Sequence, residues 1–226
     1  MEITDWSKLV NNLIKQGKLR SPRIILAMRA VPRSKFLAPN TKPYATSDMP
    51  LQIGYGQTVS APHMVAIMNE AMQLQLGNKV LEVGAGSGWH AATLAEVVAP
   101  KEAPRSEWGH VYTIEVNQAL SDAARKNIMD AGYGDRVTII TGDGSKGYAA
   151  KAPFDRILVT AAAPAVPKPL VEQLKDGGIL LIPVGNTIAS FQTLKKIMKQ
   201  AEGKVKEENL GGVAFVPLLG EHGFQK

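Results

Sequence analysis

Val80-Leu81-Glu82-Val83 runs directly into Gly84-Ala85-Gly86-Ser87-Gly88, and Trp89 then opens a stretch of helical pattern. A strand, a glycine-rich turn and a helix in that order make a nucleotide site, because glycines let the backbone approach a ligand and leave amides free to bond it. The spacing Glu82-x-Gly84-x-Gly86-x-Gly88 departs from the dinucleotide fingerprint G-x-G-x-x-G. An acid at Glu82 would favour a cationic ligand and repel a pyrophosphate.

Downstream of this turn, apolar strand-like runs at 80–83, 110–115, 137–141, 157–161 and 179–184 alternate with helical patterns at 89–98, 119–131 and 168–175. That alternation is the mark of a mostly parallel sheet wound with helices on both faces, an α/β fold. A final strand is expected over 213–218. Upstream, Leu9, Val10, Leu13 and Ile14 repeat at helical spacing, and Ser21-Pro22 caps and starts a second helix carrying Ile24, Ile25 and Met28. Residues 33–59 read as a long irregular loop, which usually has a function. Ser60 and Pro62 then open a helix whose Met64, Ile67, Met68, Ala71 and Met72 form a buried face.

Acids recur where ligands of open sheets bind, beyond the carboxyl ends of the strands. Glu115 ends the second strand as a fork able to accept from both hydroxyls of a ribose. Gly142-Asp143-Gly144 ends the third, where the acid can accept from an adenine amino group while Gly144 leaves room for the ring. Taken singly, the first is often a helix cap and the second a turn. At successive strand ends the features reinforce one another.

The chain has 226 residues, 45% hydrophobic and 20% charged, enough for one substantial core. Its net charge of +6 raises the question of an anionic partner, but the densest basic stretch, Lys195, Lys196, Lys199, Lys204 and Lys206, is interrupted by Glu202, Glu207 and Glu208. No aromatic residue is interleaved for base stacking, so this stretch reads as a solvated face. The chain has no cysteine, which excludes disulfides, thiolate metal sites and cysteine nucleophiles and agrees with a reducing compartment. The segment Met1 to Lys8 lacks the layout of a signal peptide, and no apolar run approaches membrane-spanning length. A cytoplasmic location without membrane association is therefore expected.

With these segments in view, the Glu82 to Gly88 turn resembles the first motif of the Rossmann-like methyltransferases, whose cofactor carries a sulfonium and an amino acid. The chain as a whole resembles the protein-L-isoaspartate O-methyltransferases. The likeness is carried by the run Gly56 to Met64, by the glycine turn, by Gly142-Asp143-Gly144, by Pro153-Phe154-Asp155 through Pro164, and by Gly212 to Leu218. The run Gly56-Gln57-Thr58-Val59-Ser60-Ala61-Pro62-His63-Met64 is the most diagnostic, because general methyltransferases lack it. Departures are Ala85, where the family often has Thr or Ser, and an added loop over 100–109.

The resemblance implies a Rossmann-like S-adenosylmethionine-dependent fold with N-terminal helices and a C-terminal strand extension, all in one domain spanning 1–226. Residues 1–76 would form part of the active site and 77–226 the cofactor-binding core. It implies S-adenosyl-L-methionine bound by Thr58, Val59, Ser60, Glu82, Gly84, Gly86, Ser87, Gly88, Glu115, Asp143 and Gly144. The isoaspartyl peptide or protein would be held by Ser60, His63, Ala163, Pro164, Val213, Ala214 and Phe215, with Ser60 beside the transferring methyl group as the catalytic residue. Ser60 also reads as a cap for the helix that follows.

The chemistry agrees with this implication. A methyl sulfonium is already activated, so the protein has mainly to align a nucleophile and exclude water. A carboxylate acceptor with a pKa of about 4 is ionised at neutral pH and needs no base. His63 reads as a structural hydrogen-bond donor, with proton transfer as its alternative role. The four histidines form no metal-binding spacing. Without cysteine there is no base-carbon methylation, and Thr160-Ala161-Ala162-Ala163-Pro164 is not the sequence of amino-directed DNA methyltransferases, which counts against nucleic acid. A methyltransferase acting on RNA or a small molecule would not need the Gly56 to Met64 run. A non-catalytic cofactor-binding protein would not need to keep Glu82, Glu115 and Asp143. A monomer is the expected state.

Overall fold

The computed structural model describes residues 2–186 and 192–225, with side chains from residue 5 onward. Helices α1 (Glu2–Lys15) and α2 (Pro22–Ala30) form where the apolar spacing places them. Ser21 precedes α2, yet its hydroxyl does not cap it. Its N–H and hydroxyl instead donate to the Glu70 carboxylate at 2.8 and 2.5 Å, tying α2 to α3 (Pro62–Met72).

Residues 33–59 are more ordered than their composition suggests. They contain two 3-10 turns and an antiparallel hairpin, β1 (Leu51–Gly54) and β2 (Gln57–Val59), turned by Tyr55 and Gly56 at positive φ. Strands this short carry too little alternation to be read from sequence. The rest of the segment is organised by one side chain. Arg33 is fully buried and donates to the carbonyls of Tyr44, Ala45, Ser47, Met49 and Ser60, with its guanidinium 5.7 Å from the Trp89 ring centre. Burial lowers its pKa to about 10, which leaves it charged at neutral pH.

The main sheet comprises β3 (Lys79–Val83), β4 (His110–Glu115), β5 (Val137–Thr141), β6 (Phe154–Val159), β7 (Leu174–Gly185), β8 (Gln192–Lys199) and β9 (Val205–Val213). Their order is β5-β4-β3-β6-β7-β8-β9, with β3 to β7 parallel and β8 and β9 antiparallel. The chain leaves β3 toward one edge and returns to β6 on its other side, which opens a crevice at the carboxyl ends of these strands. Side chains alternate faces, so Val80, Leu158 and Leu181 join one apolar cluster with Trp6 and Trp89, while Leu81, Ile157 and Ile182 join another. Helix α4 (Trp89–Val98) is buried almost all round because the N-terminal helices cover its outer side. Trp6 and Trp89 meet edge to face at 5.8 Å, and their ring N–H groups donate to the carbonyls of Met28 and Val31.

Several boundaries differ from expectation. Helix α5 (Gln118–Asp130) begins one residue early, capped by Asn117. The helix expected over 168–175 is the short α6 (Lys168–Glu172), because Leu174 already pairs with Phe154 and starts β7. The basic stretch is solvated only in part: Lys204 and Lys206 are exposed with Glu202, Glu207 and Glu208, but in β8 Lys195 pairs with Glu207 at 2.6 Å and Lys196 is buried. The strand expected over 213–218 is also displaced. β9 ends at Val213, and between 214 and 218 the chain makes one isolated parallel bridge, from Pro217 to Ala162.

Candidate active site

A cavity opens in the crevice at the carboxyl ends of the strands. Thr58, Val59, Ser60, Gly84, Gly86, Ser87, Glu115 and Gly144 line it, together with Gln57, His90, Thr160 and Leu218. Gly84 sits at φ +101°, and a Cβ there would lie 2.3 Å from the Thr160 hydroxyl. That hydroxyl donates to the Gly84 carbonyl at 2.8 Å, so a strand-end threonine locks the turn. Four of the five turn amides are engaged, while the Ser87 N–H has no partner among the described residues. Gly84 and Ala85 donate to the Ile114 carbonyl, Gly86 to Glu115 and Gly88 to the Ala85 carbonyl. With four of its five donors spent, the turn presents mainly a backbone wall to the cavity and not a full cradle of amides.

Glu115 is 6% exposed and uses each oxygen once, accepting from the Gly86 N–H at 3.0 Å and the Asn117 N–H at 3.1 Å. Both oxygens keep lone pairs for a further donor, as a diol acceptor must. His90 was not singled out from the sequence. It lines the cavity, its Nε2 bonds the Asn69 Oδ1 at 2.9 Å, and its buried Nδ1 has no partner among the described residues. Burial lowers its pKa to about 3, so the ring stays neutral with Nδ1 as a bare acceptor.

Three residues expected at the cofactor do not line this cavity: Glu82, Gly88 and Asp143. Glu82 is wholly buried within the sheet, accepting from the Thr113 hydroxyl at 2.5 Å, and burial raises its pKa to about 8. It therefore does not present a negative charge to the cavity at neutral pH. Gly88 lies against α5, at Ala124 and Ile128. The Asp143 oxygens accept from the Ser145 N–H and hydroxyl and from the Glu221 N–H, which pins the C-terminal segment beside the cavity. Burial opposes its charge, but these hydrogen bonds hold its pKa below the ordinary value.

A second cleft opens beside the first, lined by Ser60, His63, Gln192, Val213, Ala214 and Phe215 among others. Thr58, Ser60, Thr160 and Val216 line both. The reading of Ser60 as a helix cap is corrected. Ala61 is the N-cap residue of α3, and Asp48 accepts from the His63 N–H at 2.8 Å and lies 2.9 Å from its Nδ1. The Ser60 carbonyl is held by Arg33, and its hydroxyl has no such structural task. Ala163 and Pro164, expected at the substrate, line neither cavity. Ala163 is fully buried and bonded to Pro183 and Gly185, because the chain after β6 continues alongside β7, and Pro164 lies beyond it, exposed. Thr160 and Ala161 reach the cavity in their place.

A family model described as protein-L-isoaspartate(D-aspartate) O-methyltransferase matches residues 4–223. The chain is 52% identical over 219 residues to a protein-L-isoaspartate O-methyltransferase of Hyperthermus butylicus, covering 97% of this chain and 90% of that one. It is also 52% identical over 221 residues to the Thermococcus sibiricus protein of the same name, covering 98% and 96%. Among solved structures it is similar to one from Plasmodium falciparum, described as a protein-L-isoaspartate O-methyltransferase in complex with S-adenosyl-L-homocysteine. The TM-score is 0.81 at 26% identity, over 95% of this chain and 98% of that one.

Proposed function

We infer the activity from membership: the chain belongs to the protein-L-isoaspartate (D-aspartate) O-methyltransferase family, and it transfers a methyl group from S-adenosyl-L-methionine to the free carboxylate of L-isoaspartyl residues in damaged proteins and peptides. That transfer initiates repair. When bound, S-adenosylmethionine supplies a methyl group on a sulfonium, already activated toward an oxygen nucleophile. The observation that carries the site assignment is the pair of clefts meeting at Thr58, Ser60, Thr160 and Val216, since a transfer needs donor and acceptor to share one wall.

On this reading the Glu115 carboxylate accepts from the ribose diol, and Gly84, Gly86 and Ser87 give the backbone wall beside the methionyl part. Gly144 packs against Val83, which a Cβ would meet at 2.5 Å, and presents bare backbone to the cavity beside the adenine. Ser60 orients the acceptor carboxylate or the cofactor through its hydroxyl. The acceptor is ionised at neutral pH, so no residue has to remove a proton from it. His63, held by Asp48, shapes the peptide cleft with Val213, Ala214 and Phe215.

The same reading takes residues 1–226 as one domain, since the apolar cluster that includes Trp6 in α1 also includes Leu181 in β7 and Leu194 in β8. It takes the enzyme as a monomer, because one chain supplies every residue invoked. Among the described residues no helix is long and apolar enough to cross a membrane. With no cysteine in the chain, we place the enzyme in the cytoplasm. Nucleic acid is not a substrate on this reading, and the pairing of Lys195 and burial of Lys196 support that.

The test is transfer of labelled methyl to an isoaspartyl peptide and to the same peptide with normal aspartate, with transfer RNA as a third acceptor. Methylation of the first alone is expected. The two peptides carry the same charge and differ in where the backbone continues, so comparable rates on both would leave a general carboxyl methyltransferase.

A further inference from the structure

Helices α3 and α4 meet through a short polar chain set among apolar side chains. Asn69 and Thr93 are fully buried, and His90 is 7% exposed. The Thr93 hydroxyl donates to the His90 carbonyl at 2.7 Å, which spends its one hydrogen. Asn69 therefore turns its amino end to Thr93, with Nδ2 donating to Oγ1 at 3.2 Å, and its carbonyl oxygen to His90, 2.9 Å from Nε2. An amide oxygen only accepts, so Nε2 carries the ring proton and Nδ1 keeps a lone pair. The direction set at Thr93 thus fixes the tautomer of His90.

Nδ1 is buried and meets no donor among the described residues, an arrangement that costs stability unless a donor comes from outside the chain. His90 borders the cofactor cavity and not the acceptor cleft. It stands in the first turn of α4, just after Ser87, whose N–H also has no partner among the described residues. That is the wall assigned above to the methionyl part of the cofactor. This part is a zwitterion, its carboxylate seeking donors and its ammonium seeking acceptors. Among the described residues Glu115 is the only carboxylate bordering the cavity, and on the proposed reading the ribose takes it.

We propose that His90 is a cofactor-binding residue: its Nδ1 accepts a hydrogen bond from the ammonium group of S-adenosyl-L-methionine, and Asn69 is a positioning residue that keeps this nitrogen unprotonated. This rests on the reading that the cavity holds that cofactor. Burial holds the imidazole neutral, with its pKa lowered to about 3, so the ring does not repel a cation. A neutral acceptor also suits the reaction, because the sulfonium loses its positive charge as the methyl group leaves. A carboxylate in the same place would stabilise the charged ground state more than the transition state and so oppose transfer.

Nitrogen NMR on protein labelled in its histidine rings tests this without any substitution. Before ligand is added, His90 should show a protonated Nε2 and a bare Nδ1. Saturation with S-adenosyl-L-homocysteine should move the Nδ1 resonance upfield, as a hydrogen bond to its lone pair does, and the deamino analogue of that ligand should leave it in place. By calorimetry, wild type should prefer S-adenosyl-L-homocysteine over the deamino analogue. In a folded His90→Phe, which keeps a ring but no nitrogen, that preference should fall by about 10-fold, with the affinity for the deamino analogue close to wild type. Asn69→Leu, which frees the tautomer, should weaken the preference in the same direction. An Nδ1 resonance unmoved by bound S-adenosyl-L-homocysteine, or moved equally by both ligands, overturns the role of His90, as does an undiminished preference in His90→Phe. A wild-type protein that gives no binding heat with S-adenosyl-L-homocysteine overturns the cofactor reading itself, so the titration separates the two failures.

Discussion

Replacing Glu115 with alanine tests the cofactor geometry most directly, because its carboxylate serves the fold and the ligand at once. In the structure each oxygen already accepts one backbone N–H, from Gly86 at 3.0 Å and from Asn117 at 3.1 Å. The ribose hydroxyls take the remaining lone pairs on the proposed reading. Truncation strips both backbone donors of their acceptor, but Glu115 lines a cavity open to solvent, so water replaces part of what is lost. We expect the fold to lose about 1 to 3 kcal/mol, read from the denaturant midpoint. Cofactor binding should lose about 1.5 to 3 kcal/mol, the range for hydrogen bonds to a charged group. That corresponds to a dissociation constant raised by about 10- to 150-fold. Calorimetric titration with S-adenosyl-L-homocysteine measures it without turnover. A 2′-deoxyribose analogue adds the control: wild type should bind it more weakly than the parent ligand, and Glu115→Ala should barely tell the two apart, a coupling of about 1 kcal/mol. A folded variant whose dissociation constant lies within about twofold of wild type would refute the ribose assignment, given the tenfold-per-1.4 kcal/mol scale.

Ser60→Ala should slow single-turnover methyl transfer by about 10- to 1,000-fold if the hydroxyl positions the reactants. The denaturant midpoint should stay unchanged, since Ala61 and Asp48 carry the start of α3, and a wild-type rate would remove Ser60 from the site. Arg33→Met should destabilise the fold by at least about 3 kcal/mol, because the carbonyls gathered by this buried cation lose their common donor. A midpoint shift equivalent to under about 1 kcal/mol would mean that the segment 44–49 holds itself together. For Glu82, burial raises the folded pKa from 4.5 to about 8, so the folded protein holds this proton more tightly than the unfolded chain does. Its contribution to stability therefore declines as pH rises from 4.5 to about 8 and stays low above that. Glu82→Gln cannot ionise, and its gain in stability over wild type should be larger at pH about 9 than at pH about 6; an equal offset at both would show that Glu82 is charged throughout.

Sequence alone determined what depends on local pattern. Apolar runs alternating with helical spacing fix a parallel wound sheet, and the turn from Glu82 to Gly88 fixes where a ligand approaches it, because backbone freedom and strand ends are local properties. Glu115 is legible for the same reason, as an acid at a strand end, whereas Ser60 enters through the resemblance carried by Gly56 to Met64; both line the cavity. Tertiary structure decided the rest. Arg33 is unremarkable as a basic residue between Pro32 and Ser34, and its burial under five carbonyls exists only once 44–60 has folded back over it. Lys195 and Lys196 looked solvated because charge is a poor signal for a strand whose lysines are paired or covered by its neighbours. Glu82 and Asp143 carry the right chemistry for a ligand, yet Thr113 takes one Glu82 oxygen and the Glu221 N–H one Asp143 oxygen, and partners 31 and 78 residues away leave no trace in a local pattern. The amide of Gln192 and the backbone of Phe215 are 23 residues apart in sequence and 2.6 Å apart in space, a pairing that only the antiparallel turn-back of β8 and β9 creates.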